Sequence, residues 1–133
     1  MTAAAGQIEL TYSTYTFSFS EFLDEDLPRQ FISEASVGVS AQGAQIYAGA
    51  PYTAKHIWTI NCPVTKVEAQ SIVAAFQDFD SRRASGELPT VTVDDFTFGS
   101  RVTANTVFST PPSVSKFGNS TTHAIITFGL TEV

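Results

Sequence analysis

One stretch of this chain breaks its rhythm. From Ile8 onward, apolar and polar residues alternate in runs of period two, the pattern of half-buried strands. NCPVTKVEAQSIVAAF, from Asn61 to Phe76, switches to helical spacing. Thr65 is placed to cap a helix, and Glu68 three residues on completes a capping box. Ala69, Ile72, Val73, Phe76 and Phe79 then form one apolar face, with Lys66, Gln70, Gln77 and Asp78 lying away from it. Arg82 and Arg83 favour the dipole in the last turn, and Gly86 marks the stop. An amphipathic helix must bury its stripe. A lone helix over about residues 65–82, with strands on both sides, predicts a mainly β fold: a β-sandwich or split β-barrel with one flanking α-helix acting as a lid.

The strands can be read outward from that helix. KHIWTINC, residues 55–62, predicts a strand with His56, Trp58, Ile60 and Cys62 on one face, ended by Pro63. Ile8, Leu10 and Tyr12 alternate, slip by one at Ser13-Thr14, and resume as Tyr15, Phe17 and Phe19, which predicts a bent strand or a hairpin. Residues 1–6 read as a flexible N-terminal arm and residues 21–36 as a long loop. Val37 to Tyr47 reads as strand around a turn. Past the helix, Thr90–Val93 is strand, Asp94-Asp95 a tight turn, and residues 101–109 strand. Thr110-Pro-Pro-Ser113 is a loop or strand break, Lys116–Asn119 a turn, and Thr122–Leu130 the closing strand. Six to eight strands result. A chain of 133 residues fits one domain, 1–133, with a core that needs no staple.

The chemistry-bearing residues are sparse and scattered. The net charge of −6 argues against nucleic-acid binding as the main function, since phosphate contacts need clustered Lys and Arg. The single cysteine, Cys62, allows no intrachain disulfide and reads as a small core hydrophobe. His56 and Cys62 would stand about 20 Å apart on an extended strand, too far to share a metal ion. Asp24, Glu25 and Asp26 lack the spacing of a calcium loop. The opening residues carry no basic head and apolar core of a secretory leader, and no apolar run reaches a membrane span. No catalytic constellation, metal site or cofactor is expected. A hydrolase using Asp94 or Asp95 with His123 is the residual enzymatic reading.

KHIWTINCPVTKVEAQSIVAAFQDFD, then VDDFTFG, VFSTPP and the ending ITFGLTEV, together resemble small tail proteins of tailed bacteriophages: tail-tube, distal-tail and baseplate hub proteins. The resemblance covers over half of the chain, but not the first third. It implies a tail-tube-like domain that assembles into rings, usually sixfold, around the DNA channel. The implied role is non-enzymatic: a minor tail protein, a virion structural protein or adaptor in the phage tail, assembled in the host cytoplasm. Its partners would be copies of itself in a hexamer and other tail or baseplate proteins. DNA would pass through without specific binding, and no membrane would be involved. On that plan Asp24, Glu25 and Asp26 are candidates to face the lumen. Phe22, Leu23, Phe31, Tyr47, Tyr52 and Phe117 are candidates for subunit or ring contacts. The alternative is a carbohydrate- or receptor-binding β-sandwich at the tail tip, which would use Trp58, Tyr47 and Tyr52 as an exposed aromatic patch.

Overall fold

The computed structural model describes residues 3–23, 28–32, 36–39, 45–48 and 55–133. The chain opens with a hairpin of β1 (Ile8–Tyr12) and β2 (Tyr15–Phe19), in which Tyr12 sits opposite Tyr15. Ser13, at φ +52°, supplies the left-handed residue that a two-residue hairpin turn requires. The slip in the alternation is therefore a turn. Next come β3 (Arg29–Ile32), β4 (Ser36–Val39), β5 (Gln45–Ala48) and the long β6 (Lys55–Thr65). Helix α1 (Lys66–Ala84) follows, then β7 (Val91–Phe98), β8 (Ser100–Lys116) and β9 (His123–Glu132). β4 and β5 form a separate antiparallel pair. The other seven strands make one antiparallel sheet in the order β2-β1-β7-β8-β9-β6-β3.

That sheet cannot be flat. β2 and β9 stand four places apart, about 19 Å in a flat sheet. Yet the Phe19 and Phe128 rings lie 5.8 Å apart, edge to face. Trp58 on β6 and Asp95 on β7 are three strands apart, and the indole Nε1–H donates to the carboxylate at 2.8 Å. Both contacts require the sheet to curl into a half-barrel. The fold is thus mainly β with one flanking helix, as the sequence pattern predicts. The interior holds Ile8, Leu10 and Phe19 from one end of the strand order, and Trp58, Ile60 and Cys62 from the other. Val93, Ile126, Phe128 and Leu130 come from the middle.

Helix α1 lies in the mouth of this half-barrel, against β2, β6, β8 and β9. The Thr65 hydroxyl accepts from the Glu68 N–H at 3.2 Å and donates to the Glu68 carboxylate at 3.0 Å. At the far end Gly86, at φ +91°, closes a Schellman motif: Glu87 N–H bonds the Arg82 carbonyl and Gly86 N–H bonds that of Arg83. The buried stripe is Ala69, Ile72, Ala75 and Phe79. Phe76 is half-buried and meets Phe108 edge to face at 5.3 Å. Val73 is half-buried and lines a groove instead. The expected face of Ile72, Val73, Phe76 and Phe79 is therefore rotated toward Ala75, whose small side chain lets the helix approach the sheet.

Five local expectations are corrected. Asp94 and Asp95 are no tight turn; they lie within β7, paired to β8 through Thr103 and Val102. Pro63 does not end β6, which continues to Thr65 with Pro63 opposite Ile125. Beyond Trp58, β6 has left β3 behind and β9 is its ladder partner, an edge setting where a missing donor is tolerated. Pro111 and Pro112 lie inside β8 within the second of its two register shifts, between Thr110 and Ser113, where the irregularity absorbs them. The stretch 21–36 contains β3, anchored by Leu23 N–H to the Asn61 carbonyl and Thr59 N–H to the Pro28 carbonyl. Over residues 3–6 the chain is also tied down rather than loose. Ala3 is buried, its N–H donates to Asp94 and its carbonyl accepts from Arg101, while Gly6 N–H bonds the Phe96 carbonyl.

One glycine in the closing strand has a steric reason. A side chain on Gly129 would stand 3.0 Å from the hydroxyl of Thr110 and 3.2 Å from its Cβ; Thr110 is its partner across β8, flanked by register shifts.

Phe79 is fully buried, so Phe79→Ala is expected to cost about 3–5 kcal/mol in urea unfolding, with Phe76→Ala costing less. Asp95→Ala strands the Trp58 N–H and leaves the partly buried Arg29 without its carboxylate. A loss of about 3–5 kcal/mol is expected in the same measurement.

Candidate functional site

The acidic side chains of β7 point to opposite faces of the sheet, and both are engaged. Inside, Asp95 is fully buried. It accepts from Trp58 Nε1, and from the Thr97 N–H and hydroxyl at 2.8 and 2.6 Å; Arg29 Nε stands 3.6 Å away. Outside, Asp94 lies beneath residue 3 of the N-terminal segment, with Arg101 Nη1 at 2.6 Å and the Ala3 N–H at 2.8 Å. Burial pushes the Asp94 carboxyl upward. The Ala3 hydrogen bond, Arg101 and the Thr103 hydroxyl outweigh it and hold the group below its ordinary value. Arg101 also stacks over Phe96, 4.6 Å from the ring centre.

These acids have no access to His123. Asp95 bonds Trp58, whereas His123 pairs with Thr65, seven residues further along β6, or about 24 Å. His123 is exposed at the start of β9, with Nδ1 2.8 Å from the Thr122 hydroxyl. His56 is held by Glu132 at 2.9 Å. Cys62 is buried, and desolvation, aided by Glu68 and Glu21, pushes its thiol up to about 12, which keeps it protonated and inert. Among the described residues no three His, Cys, Asp or Glu side chains are placed to hold a metal ion. No helix among them is long and apolar enough to cross a membrane.

The candidate contact residues divide. Leu23 is 49% exposed and Phe31 71%. Both lie along the outer edge of β6: Leu23 bonded at Asn61, Phe31 opposite His56 with the two rings 4.6 Å apart. Five residues of β6 separate them, about 17 Å. Phe117 is exposed in the β8–β9 turn. Phe22 is half-buried against the core. Tyr47 lies in β5 opposite Val37. Tyr52 and the acids Asp24, Glu25 and Asp26 lie outside the described residues. Trp58 is fully buried, so it belongs to the interior and to no exposed aromatic patch.

A feature the sequence reading did not single out is a groove of about 670 Å³ between α1 and the β8–β9 hairpin. Its floor is apolar, from Ala69, Val73, Val114 and Ala124, and Lys66, Lys116 and His123 stand at its rim. Ser120 and His123 also border a second recess, of about 480 Å³, that runs toward Phe19, Glu21 and Cys62. The Lys66 N–H bonds the Thr122 carbonyl, which fixes the helix start to the hairpin. Lysine in the first turn opposes the helix dipole, so Lys66 is not there to stabilise the helix. That misfit was the legible signal. Val67, Leu88 and Val114 are further exposed apolar side chains that alternation alone does not reveal.

No family model, curated protein or solved structure matches the chain.

Asp94 makes a pH-dependent contribution whose sign follows from its lowered folded value. The stability it provides is fully present above the ordinary value of 3.8 and is lost as pH falls through the folded value. Asp94→Asn should therefore lower the melting temperature at neutral pH, and the two melting curves should converge as the solution is acidified below that range.

Proposed function

We propose that this protein is a non-enzymatic structural subunit of a bacteriophage tail, one member of a ring that joins or extends the tail tube or baseplate around the DNA channel. The observation that carries the reading is a pair of exposed apolar side chains beside β6: Leu23, half exposed, and Phe31 on the terminal strand β3. Large apolar side chains at a sheet edge favour a neighbouring chain over water. The curled sheet with a flanking helix agrees with the domain plan that the resemblance to tail proteins implies.

The acids supply a second support. Asp94 and Asp95, the best placed for catalysis by sequence, are engaged in structural bonds and lie far along the barrel from His123. Asp95 bridges the curled sheet and Asp94 ties down the N-terminal segment. Net negative charge suits a channel wall that must not grip DNA. The receptor-binding alternative loses its central residue with Trp58 in the core.

Sedimentation velocity and electron microscopy of the purified protein test the proposal. The expected result is a concentration-dependent closed ring, sixfold with a central pore, weakened by Phe31→Asp. A protein that remains a monomer at high concentration would overturn it.

A further inference from the structure

We propose that the groove between α1 and the β8–β9 hairpin receives the acidic run Glu21–Asp26, EFLDED, of a neighbouring copy. The inference rests on the ring reading above and assigns its seam.

The distribution of positive charge carries the argument. The chain has seven Lys and Arg. Each of its four arginines has a carboxylate partner within the fold: Arg29 with Asp95, Arg82 with Asp78, Arg83 with Asp80 and Arg101 with Asp94. The lysines are three, Lys55, Lys66 and Lys116, and two of them stand at the rim of this one groove. Among the described residues neither Lys66 nor Lys116 has a carboxylate within ion-pair distance. His123 beside them adds a third group able to carry positive charge. On a chain of net charge −6, this rim is a local reversal of sign.

The occupant must therefore be acidic, and it must also cover an apolar floor. EFLDED meets both needs: it carries four carboxylates, Glu21, Asp24, Glu25 and Asp26, around Leu23, whose side chain is half exposed, while Phe22 packs against its own core. No other six-residue window of the chain carries four acids. Leu23 is half exposed with its N–H bonded to the Asn61 carbonyl, so the start of the run stands at the protein surface, where a neighbour could meet it. Interfaces of this kind gain register and partner choice from opposite charge, and affinity from the apolar area covered. This assignment moves Asp24, Glu25 and Asp26 from the channel wall to the seam between subunits.

Charge reversal tests it. Lys66→Glu with Lys116→Glu, and separately Asp24→Lys with Glu25→Lys, are compared with wild type by sedimentation velocity, with melting curves to show that each variant folds. Each reversal should weaken assembly by about tenfold or more, and the two sets combined in one chain should restore it. Added salt should also dissociate the wild-type assembly. A wild type that forms rings while both reversals assemble unchanged overturns the groove assignment and leaves the ring reading standing. So does a combined variant no better than either reversal alone, or reversals that lower the melting temperature of a monomer without changing assembly. A wild type that never assembles removes the ring reading and the seam with it.

Discussion

A carboxylate beyond the reach of solvent sits where distant parts of the sheet converge. Asp95 would be costly to bury alone, since transfer of an unpaired charge out of water is strongly unfavourable. Its two oxygens instead collect an indole N–H from β6, an amide and a hydroxyl from its own strand, and the nearby guanidinium of β3. Those donors come together only if β7 and β6 approach across the interior. The curl of the sheet and the satisfaction of Asp95 are one condition. The same carboxylate also takes the Thr97 amide where the β7–β8 register shifts, so it stabilises the irregularity that lets the strand bend.

Outside the barrel the other β7 acid does a parallel job. Asp94 and Arg101 clamp Ala3, so the N-terminal segment covers the sheet instead of trailing from it. Two adjacent acids thus tie opposite faces of one strand to segments far away in sequence. The arginines are spent in this way, on carboxylates of their own chain, and the lysines are left to meet whatever comes from outside.

Local chemistry made part of this legible. The helix ends could be read from Thr65, Glu68 and Gly86 because capping depends on residues within one turn. The inward face of β6 could be read from the alternation of Trp58, Ile60 and Cys62. Asp94-Asp95 misled because adjacent acids are common in turns, and the partners that keep them in a strand lie up to 91 residues away. Pro63, Pro111 and Pro112 misled for a related reason: whether a proline breaks a strand depends on which neighbour that position faces, a property of strand order and register. The groove was illegible because its walls are a helix and a hairpin whose closeness is purely tertiary. Lys66, at odds with the helix dipole, was its one local trace.

The pairing of Thr110 with Gly129 has an evolutionary corollary. The threonine fills the space that a methyl group on the opposite residue would need. The two positions are therefore not free to drift separately. Among descendants of this chain a bulkier residue at 129 should arrive only with a smaller one at 110 or with repair of the kink itself. The correlated change would mark this irregularity as inherited architecture.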